Sequence, residues 1–154
     1  LLGAGGAARG VLAPLLERGP VALTIANRSP DKARTLAAEF ADLAALTPCA
    51  LDELAGMAFD VVVNATSASL AGAQLSLPAT VFTAGCLAYD MMYGREPTPF
   101  LHLAKYSGAQ QQADGIGMLV EQAAESFFLW RNVRPQTQPV IALLKSHTPP
   151  HHTI

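Results

Sequence analysis

The sequence predicts an α/β fold with a doubly wound parallel sheet, and three observations lead to it. Short β-branched runs alternate with helical stretches along the 154 residues, as in sheets whose parallel strands are joined by helices. A glycine-rich stretch, GAGGAARG, stands at 3–10, where a Rossmann-like sheet turns from its first strand into its first helix. Only Leu1 and Leu2 precede that turn, so we expect a truncated first strand. We take 1–154 as one domain, with 146–154 as a flexible tail.

The composition argues against several classes of protein. Apolar residues make up 51% of the chain and charged residues 14%, with a net charge of −2, and no basic run suits a nucleic-acid backbone. No apolar stretch approaches the roughly 20 residues that span a bilayer, and no signal peptide is visible. We therefore expect a cytoplasmic protein without nucleic-acid or membrane partners. Cys49 and Cys86 lack metal-binding spacing, which predicts buried free thiols and no metal site.

The first elements follow from local signals. The stretch 7–18 is rich in Ala and Leu and predicts a helix, which Pro14 is expected to bend or to deprive of one hydrogen bond. The run VALTIA at 21–26 has the length and β-branched content of a buried strand. Ser29 before Pro30 is typical of an N-cap followed by the first helical position, so a second helix should begin there.

The later elements continue the alternation of strands and helices. FDVVVNAT at 59–66 predicts an interior parallel strand, because its apolar residues are continuous rather than alternating. A further strand region is expected over 80–91, and a helix over 98–108. Apolar residues recur at spacings of three and four over 115–131, which predicts a long amphipathic helix with Asp114 as its N-cap.

The stretch GAGGAARG fits the G-x-G-x-x-A version of the dinucleotide fingerprint at Gly3, Gly5 and Ala8. The first glycine permits a tight turn, the second lets backbone amides approach a pyrophosphate, and the small third residue lets the helix lie close to the strand. On its own this pattern is also compatible with an ordinary glycine turn before a helix. The strand that follows, at 21–26, favours the dinucleotide interpretation.

The residues after that strand indicate which dinucleotide is bound. An NAD-binding domain usually has an Asp or Glu there for the ribose hydroxyls, whereas this chain has Asn27, Arg28 and Ser29, with Lys32 one helical turn later. A guanidinium and an ammonium group suit a 2′-phosphate, so the sequence predicts NADP. The alternative is that both are solvated charges at a helix start, where the helix dipole disfavours cations.

Beyond these local signals, the chain resembles the shikimate dehydrogenase family over nearly its whole length. The resemblance is carried by GAGGAARG, NRSPDKA, VVNATSASL, YDMMYGREPTPFL and ADGIGMLVEQAAESFFLW, in this order. It implies two α/β domains with the active site in the cleft between them. The implied reaction is the NADPH-dependent reduction of 3-dehydroshikimate to shikimate, a step of chorismate and aromatic amino-acid biosynthesis.

The resemblance also implies roles for individual residues. Those that would bind the pyrophosphate are Gly3, Ala4, Gly5, Gly6 and Ala7. Those that would bind the 2′-phosphate end are Asn27, Arg28, Ser29 and Lys32. Thr66 and Ser67 would line the cofactor cleft, with Met91 and Gly115 near the nicotinamide, and Tyr93 and Gln122 would contact the substrate.

Three positions depart from the family pattern. Ser29 replaces a usual Thr and Lys32 a frequent Arg, which keeps the hydroxyl and the charge that NADP needs. Ser69 stands where the family commonly has Gly, which changes what backbone conformations its loop can adopt.

The family's catalytic Lys and Asp lie in an N-terminal substrate domain that these 154 residues do not include. We therefore assign no catalytic residue here, and expect the chain to be inactive without that domain and to be a monomer or homodimer. Two alternatives stay open, a quinate/shikimate dehydrogenase of broader specificity and a non-catalytic relative that senses a nucleotide or metabolite. Retention of Tyr93 and Gln122 argues against the sensor, which has no need of substrate-facing side chains.

Overall fold

The computed structural model describes residues 1–68 and 75–146. Ser69 and the tail beyond residue 146 therefore lie outside the described residues. In chain order the elements are α1 (Gly6–Leu16), β1 (Thr24–Asn27), α2 (Pro30–Glu39), β2 (Thr47–Ala50), β3 (Phe59–Asn64), β4 (Phe82–Asp90), α3 (Pro99–Tyr106), β5 (Gln111–Ala113), α4 (Ile116–Arg131) and α5 (Gln138–Ser146). Short 3₁₀ turns follow β2 at Asp52–Leu54 and precede β4 at Ala79–Val81.

The strands form a parallel sheet whose two ladders are joined by the first residues of the chain. β1 pairs with β2, and β3 pairs with β4, which pairs with β5. Leu2 bridges both ladders, since its N–H donates to the Val63 carbonyl at 2.8 Å while Ala26 donates to the Leu1 carbonyl at 2.9 Å. The resulting order, β2-β1-Leu2-β3-β4-β5, is that of a doubly wound Rossmann-like sheet. The predicted fold class is confirmed, and Leu2 takes part in the sheet through isolated bridges to Ala26 and Asn64.

Each face of the sheet has its own apolar core. Ile25 and Ala26 are neighbours on β1, so their side chains point to opposite faces and enter different cores. One core lies under α1 and α2, and its buried residues are Ala8, Leu12, Ile25, Ala33, Leu36, Ala37 and Ala65. The other lies between β3, β4 and α3, where the rings of Phe82 and Phe100 are 6.2 Å apart. Helices therefore cover both faces, and the strand ends remain open.

Several predicted boundaries differ from the structure. β1 begins at Thr24, three residues later than predicted, and Val21 is fully exposed. Pro14 lies inside α1, which continues to Leu16. Gly115, not Asp114, occupies the N-cap position of α4, although the Asp114 side chain accepts a hydrogen bond from the Ile116 N–H at 3.2 Å.

The other two predicted helix starts are confirmed in position. Ser29 is the N-cap residue of α2, but its side chain makes no cap hydrogen bond. Thr98 caps α3 with its hydroxyl, which accepts from the Leu101 N–H at 3.2 Å. Three elements were not predicted, namely β2, β5 and α5. Among the described helices, none has the length and apolar character needed to cross a membrane, α4 being 16 residues long.

Both cysteines are buried and unpaired, as the sequence predicted. Burial raises the pKa of the Cys86 thiol, and burial together with the nearby Glu53 carboxylate raises the pKa of Cys49. Each is therefore less ionised at a given pH than an exposed cysteine. In 1–68 and 75–146, no three His, Cys, Asp or Glu side chains lie close enough together to hold a metal ion.

Candidate functional site

A large cleft opens at the carboxyl ends of β1 and β3, where doubly wound sheets bind their ligands. Its volume is about 1280 Å³, above the usual range of about 300–1,000 Å³ for small-molecule sites, so it has room for a large ligand. The predicted cofactor residues that line it are Gly3, Ala4, Gly5, Gly6, Ala7, Asn27, Arg28, Ser29, Lys32, Thr66 and Ser67. The fold thus brings together most of the predicted cofactor site, while Met91 and Gly115 lie outside this cleft.

The glycine loop has the geometry of an anion site. Gly3 has a φ of +102°, and a Cβ there would lie 3.1 Å from the carbonyl oxygen of Ala65 on the neighbouring strand end. Gly5 is the N-cap residue of α1, which has no side-chain cap and no acidic residue in its first turn. The first N–H groups of α1 are therefore available to a ligand, and the positive end of the helix dipole favours an anion such as pyrophosphate.

Alanine substitutions at the two glycines should have separable effects. Gly3→Ala is expected to lower the free energy of unfolding by about 1–2 kcal/mol, because a positive φ is strained for any residue with a Cβ. Gly5→Ala should leave stability almost unchanged, since its φ of −94° is ordinary and no described atom lies within 4 Å of its Cβ position. Gly5→Ala should nevertheless weaken dinucleotide binding, because the added methyl group would occupy open space at the loop that the dinucleotide needs. Urea denaturation and ligand titration of both variants provide the check, and equal stability losses would contradict it.

Two cations mark the end of the cleft next to β1. Arg28 and Lys32 are exposed, and among the described residues neither takes part in an ion pair. The nearby Asp31 is paired with Arg34 at 2.6 Å and does not line the cleft. The Asn27 amide donates to the Ser29 carbonyl at 3.0 Å, which fixes the turn between β1 and α2. This end therefore presents to a ligand two cations that take part in no ion pair among the described residues.

Other cleft residues were missed by the sequence analysis. They are Leu51 and Asp52, which follow β2, and the segment 75–78. A strand predicted at 47–50 would have indicated Leu51 and Asp52, but Pro48 argues against a strand there. Asp52 is the one carboxylate among the described lining residues, and it follows β2, whose last residue Ala50 is paired with Asn27 of β1.

A second group of predicted residues meets where β4 runs toward α4. A Cβ on Gly115 would lie 2.2 Å from the carbonyl oxygen of Met91 and 3.3 Å from Cδ1 of Tyr93. The Gly115 N–H donates to the Met92 carbonyl at 3.1 Å, which holds the two segments together. Tyr93 is 47% exposed, and Gln122 is exposed two helical turns along α4 from Gly115. The substrate role of Gln122 stays a prediction.

Asn64, Asp90 and Thr98 form a buried polar cluster that is hydrogen-bonded to residues of both groups. Asn64 and Asp90 are the last residues of β3 and β4, and both are fully buried. The hydroxyl of Thr98 donates to Asp90 Oδ2 at 2.5 Å, and the Asn64 amide donates to Asp90 Oδ1 at 3.1 Å. Beside it, burial raises the pKa of Tyr89, with smaller contributions from the carboxylates of Asp114 and Asp90. The sequence signal for the cluster is polar residues at the ends of buried apolar strands.

An apolar groove of about 250 Å³ lies at the other end of the strands. It is lined by first residues of β1 and β3, Thr24 and Phe59, together with Leu15 and Arg18 of the α1 end. Ligands of open α/β sheets bind at the carboxyl ends of strands, so this groove is not the dinucleotide site.

The parallel sheet, the glycine loop and the cleft at the strand ends define a Rossmann-type domain of the dinucleotide-binding class. Two family models match the chain, "Shikimate / quinate 5-dehydrogenase" over residues 1–74 and "Shikimate 5'-dehydrogenase C-terminal domain" over 115–145. Together these matches cover more than half of the chain. The chain belongs to the shikimate dehydrogenase family.

Individual relatives agree with this assignment. The shikimate dehydrogenase (NADP(+)) of Dechloromonas aromatica is 61% identical over 146 residues, which are 95% of this chain and 53% of the relative. An Ael1 enzyme from Pseudomonas putida superposes with a TM-score of 0.85 at 52% identity, covering 93% of this chain and 52% of that one. A shikimate dehydrogenase solved in complex with NADP⁺ gives a TM-score of 0.76 at 28% identity, covering 97% and 54%. The chain spans about half the length of the curated relatives it matches.

Proposed function

We propose that this chain, as one domain over 1–154, is the NADP-binding part of a shikimate dehydrogenase. The whole enzyme would catalyse the reversible reduction of 3-dehydroshikimate to shikimate, a step of aromatic amino-acid biosynthesis. The relatives named shikimate dehydrogenase (NADP(+)), at 61% and 58% identity, support this activity. The proposal includes a cytoplasmic location and a monomeric or homodimeric state.

The observation that carries the choice of NADP is the presence in the cleft beside β1 of two cations, Arg28 and Lys32, that take part in no described ion pair. No Asp or Glu stands at the end of β1 to accept hydrogen bonds from ribose hydroxyls, since Asn27, Arg28 and Ser29 occupy those positions. Charge-assisted hydrogen bonds to phosphate are about twice as strong as neutral ones. The 2′-phosphate would therefore be held by Arg28 and Lys32, and the pyrophosphate by the N–H groups at the start of α1.

We assign the nicotinamide end to Met91 and Gly115, the lining of the cofactor cleft to Thr66 and Ser67, and the substrate contacts to Tyr93 and Gln122. Their support is the close approach of Gly115 to Met91 and Tyr93, which holds the β4 end against the start of α4. Bound NADPH supplies the hydride for the reduction. Proton transfer would come from the Lys and Asp that the family carries in its other domain, so this chain alone should not turn over substrate. Holding the reacting groups in register across both domains is worth several kcal/mol of barrier.

Titration of the chain with NADP⁺ and with NAD⁺ tests the cofactor assignment. We expect NADP⁺ to bind at least tenfold more tightly, because hydrogen bonds to a charged group contribute about 1.5–3 kcal/mol and about 1.4 kcal/mol is tenfold in affinity. Isothermal titration calorimetry at low ionic strength is suitable, since added salt screens exposed charges. Equal affinities, or a preference for NAD⁺, would contradict the proposal.

The substrate assignment is tested on the full-length protein that carries this sequence. Shikimate is expected to support NADP⁺ reduction, while quinate supports little. Comparable rates with quinate would favour a dehydrogenase of broader specificity, and the family description "Shikimate / quinate 5-dehydrogenase" names both substrates. Binding of NADP⁺ without turnover of either substrate would favour a non-catalytic relative.

A further inference from the structure

The buried cluster of Asn64, Asp90 and Thr98 has features that packing alone does not explain. Their exposed fractions are 0%, 0% and 7%. Among the residues that the structure describes, these three are the polar ones that are buried. Within that part no cation pairs with the Asp90 carboxylate. A buried carboxylate is costly to desolvate, and apolar side chains of similar size often stabilise such a position as well or better. The cluster therefore calls for a role beyond stability.

Hydrogen bonds compensate for the missing cation. Asp90 Oδ1 accepts from the Asn64 amide at 3.1 Å and from the Met92 N–H at 3.0 Å, while Oδ2 accepts from the Thr98 hydroxyl at 2.5 Å. Thr98 is the N-cap of α3, so the positive end of that helix dipole lies next to the carboxylate. Each of these donors is held in place by a different element of the fold, and the carboxylate joins them.

One branch of the cluster leads to the cofactor cleft. With its amide nitrogen directed to Asp90, Asn64 turns its oxygen to Thr66, accepting from the Thr66 N–H at 3.1 Å and from its hydroxyl at 2.7 Å. Thr66 lines the cleft, and its Cγ2 lies 3.2 Å from the Cβ position of Gly3 in the phosphate loop. The orientation of the Asn64 amide therefore sets the position of Thr66.

The other branch leads to the proposed nicotinamide and substrate side. The Met92 N–H bonds to Asp90, and the Met91 N–H bonds to the Asn64 carbonyl at 3.0 Å. The Met92 carbonyl in turn accepts from the Gly115 N–H at 3.1 Å. The backbone that leads to Tyr93 is thus fixed from both sides.

We propose that Asp90 is a positioning residue that places Thr66 and the Met91–Met92 backbone in register around the nicotinamide half of the cofactor. It acts through Asn64 and Met92 and touches neither cofactor nor substrate. The inference rests on the proposed function, because it assumes that a nicotinamide dinucleotide occupies the cleft. It does not concern the 2′-phosphate end, since Arg28 and Lys32 lie on a different turn, between β1 and α2.

The test compares two ligands, NADP⁺ and adenosine 2′,5′-bisphosphate, which lacks the nicotinamide half. Asp90→Asn keeps the size of the side chain but leaves one acceptor oxygen in place of two, so at least one donor loses its partner. We expect the affinity for NADP⁺ to fall about tenfold, whereas that for the bisphosphate changes less than twofold. Asp42→Asn, at an exposed carboxylate outside the cleft, is the matched control and should change neither affinity.

Variants at Thr98 keep the test decisive if Asp90→Asn fails to fold. Thr98→Val preserves the shape but removes the hydroxyl, and Thr98→Ser restores it, so Val should reproduce the selective loss of NADP⁺ affinity and Ser should rescue it. Circular dichroism establishes which variants are folded.

The outcomes separate the positioning role from the proposed function. Equal losses for both ligands, or no loss for either, would show a structural role only and would overturn the inference. Equal affinities of the unsubstituted chain for the two ligands would also overturn it, since the nicotinamide half would then gain nothing from the cleft. Failure of the unsubstituted chain to bind NADP⁺ would contradict the proposed function itself, and the inference with it.

Discussion

Gly115→Ala is expected to lower the free energy of unfolding by about 3 kcal/mol, at the upper end of the usual cost of overpacking. The added methyl group would lie 2.2 Å from the Met91 carbonyl oxygen and 2.8 Å from its carbonyl carbon. Both atoms belong to the backbone, which is fixed by the hydrogen bond from the Met91 N–H to the Asn64 carbonyl at 3.0 Å. The clash can be relieved only by moving α4 away from β4, so the substitution should also displace Tyr93 and weaken NADP⁺ binding.

Gly117→Ala supplies a matched control two residues later on the same helix. Gly117 lies inside α4, and no described atom comes within 4 Å of its Cβ position. Alanine is favoured over glycine in a helix interior by about 0.5–1 kcal/mol, so in the first turn of α4 this variant should be at least as stable as the unsubstituted chain. Urea denaturation followed by circular dichroism measures both changes. A Gly115→Ala protein within about 1 kcal/mol of the unsubstituted chain would refute the close-contact explanation.

The elements that sequence reasoning found are those whose signal is local. Thr98 followed by Pro99 marks a helix start in any context, and the structure places an N-cap hydrogen bond there. β2 was missed because Pro48 lies in its centre and proline usually excludes a strand. Its neighbour Thr47 donates to the Leu23 carbonyl of the β1 side, so alternation turns Pro48 toward the open edge, where no donor is needed. That information depends on which strand is paired, and no window of sequence contains it.

The candidate site divides in the same way. The glycine loop and the residues after β1 were predicted because each role is tied to a short motif, and the cleft brings these residues together. The sequence indicates no separate role for Asp90 within its family motif, since its importance comes from partners 26 and 8 residues away along the chain. A strand that ends in a buried Asp looks like any strand end until the neighbouring strand and helix are placed beside it.

Replacing both Arg28 and Lys32 by alanine is expected to weaken NADP⁺ binding about 100-fold and to leave NAD⁺ binding within twofold. Each cation would contribute a charge-assisted hydrogen bond to the 2′-phosphate, worth about 1.5–3 kcal/mol, and the two contributions add only in part because they share one ligand group. NAD⁺ has a hydroxyl at that position and offers the cations no anion. Paired titrations with both dinucleotides, repeated at two salt concentrations, measure the selectivity. The selectivity of the unsubstituted chain should fall as salt rises, whereas that of the double variant should be small at both concentrations.

A charge-matched control excludes a general effect of lost positive charge. Arg131 and Lys145 are exposed in the last turns of α4 and α5, and neither lines the cleft. Replacing both by alanine removes the same net charge, so NADP⁺ affinity should stay within about twofold if the effect is local, because a Debye length of about 8–10 Å screens more distant charges.

If the control variant lost affinity as strongly as the Arg28 and Lys32 variant, the long-range field would be responsible. If the Arg28 and Lys32 variant lost NAD⁺ and NADP⁺ affinity equally, these cations would contact the part that the two dinucleotides share. Only a loss confined to NADP⁺ and to the β1–α2 turn assigns the 2′-phosphate to these two side chains.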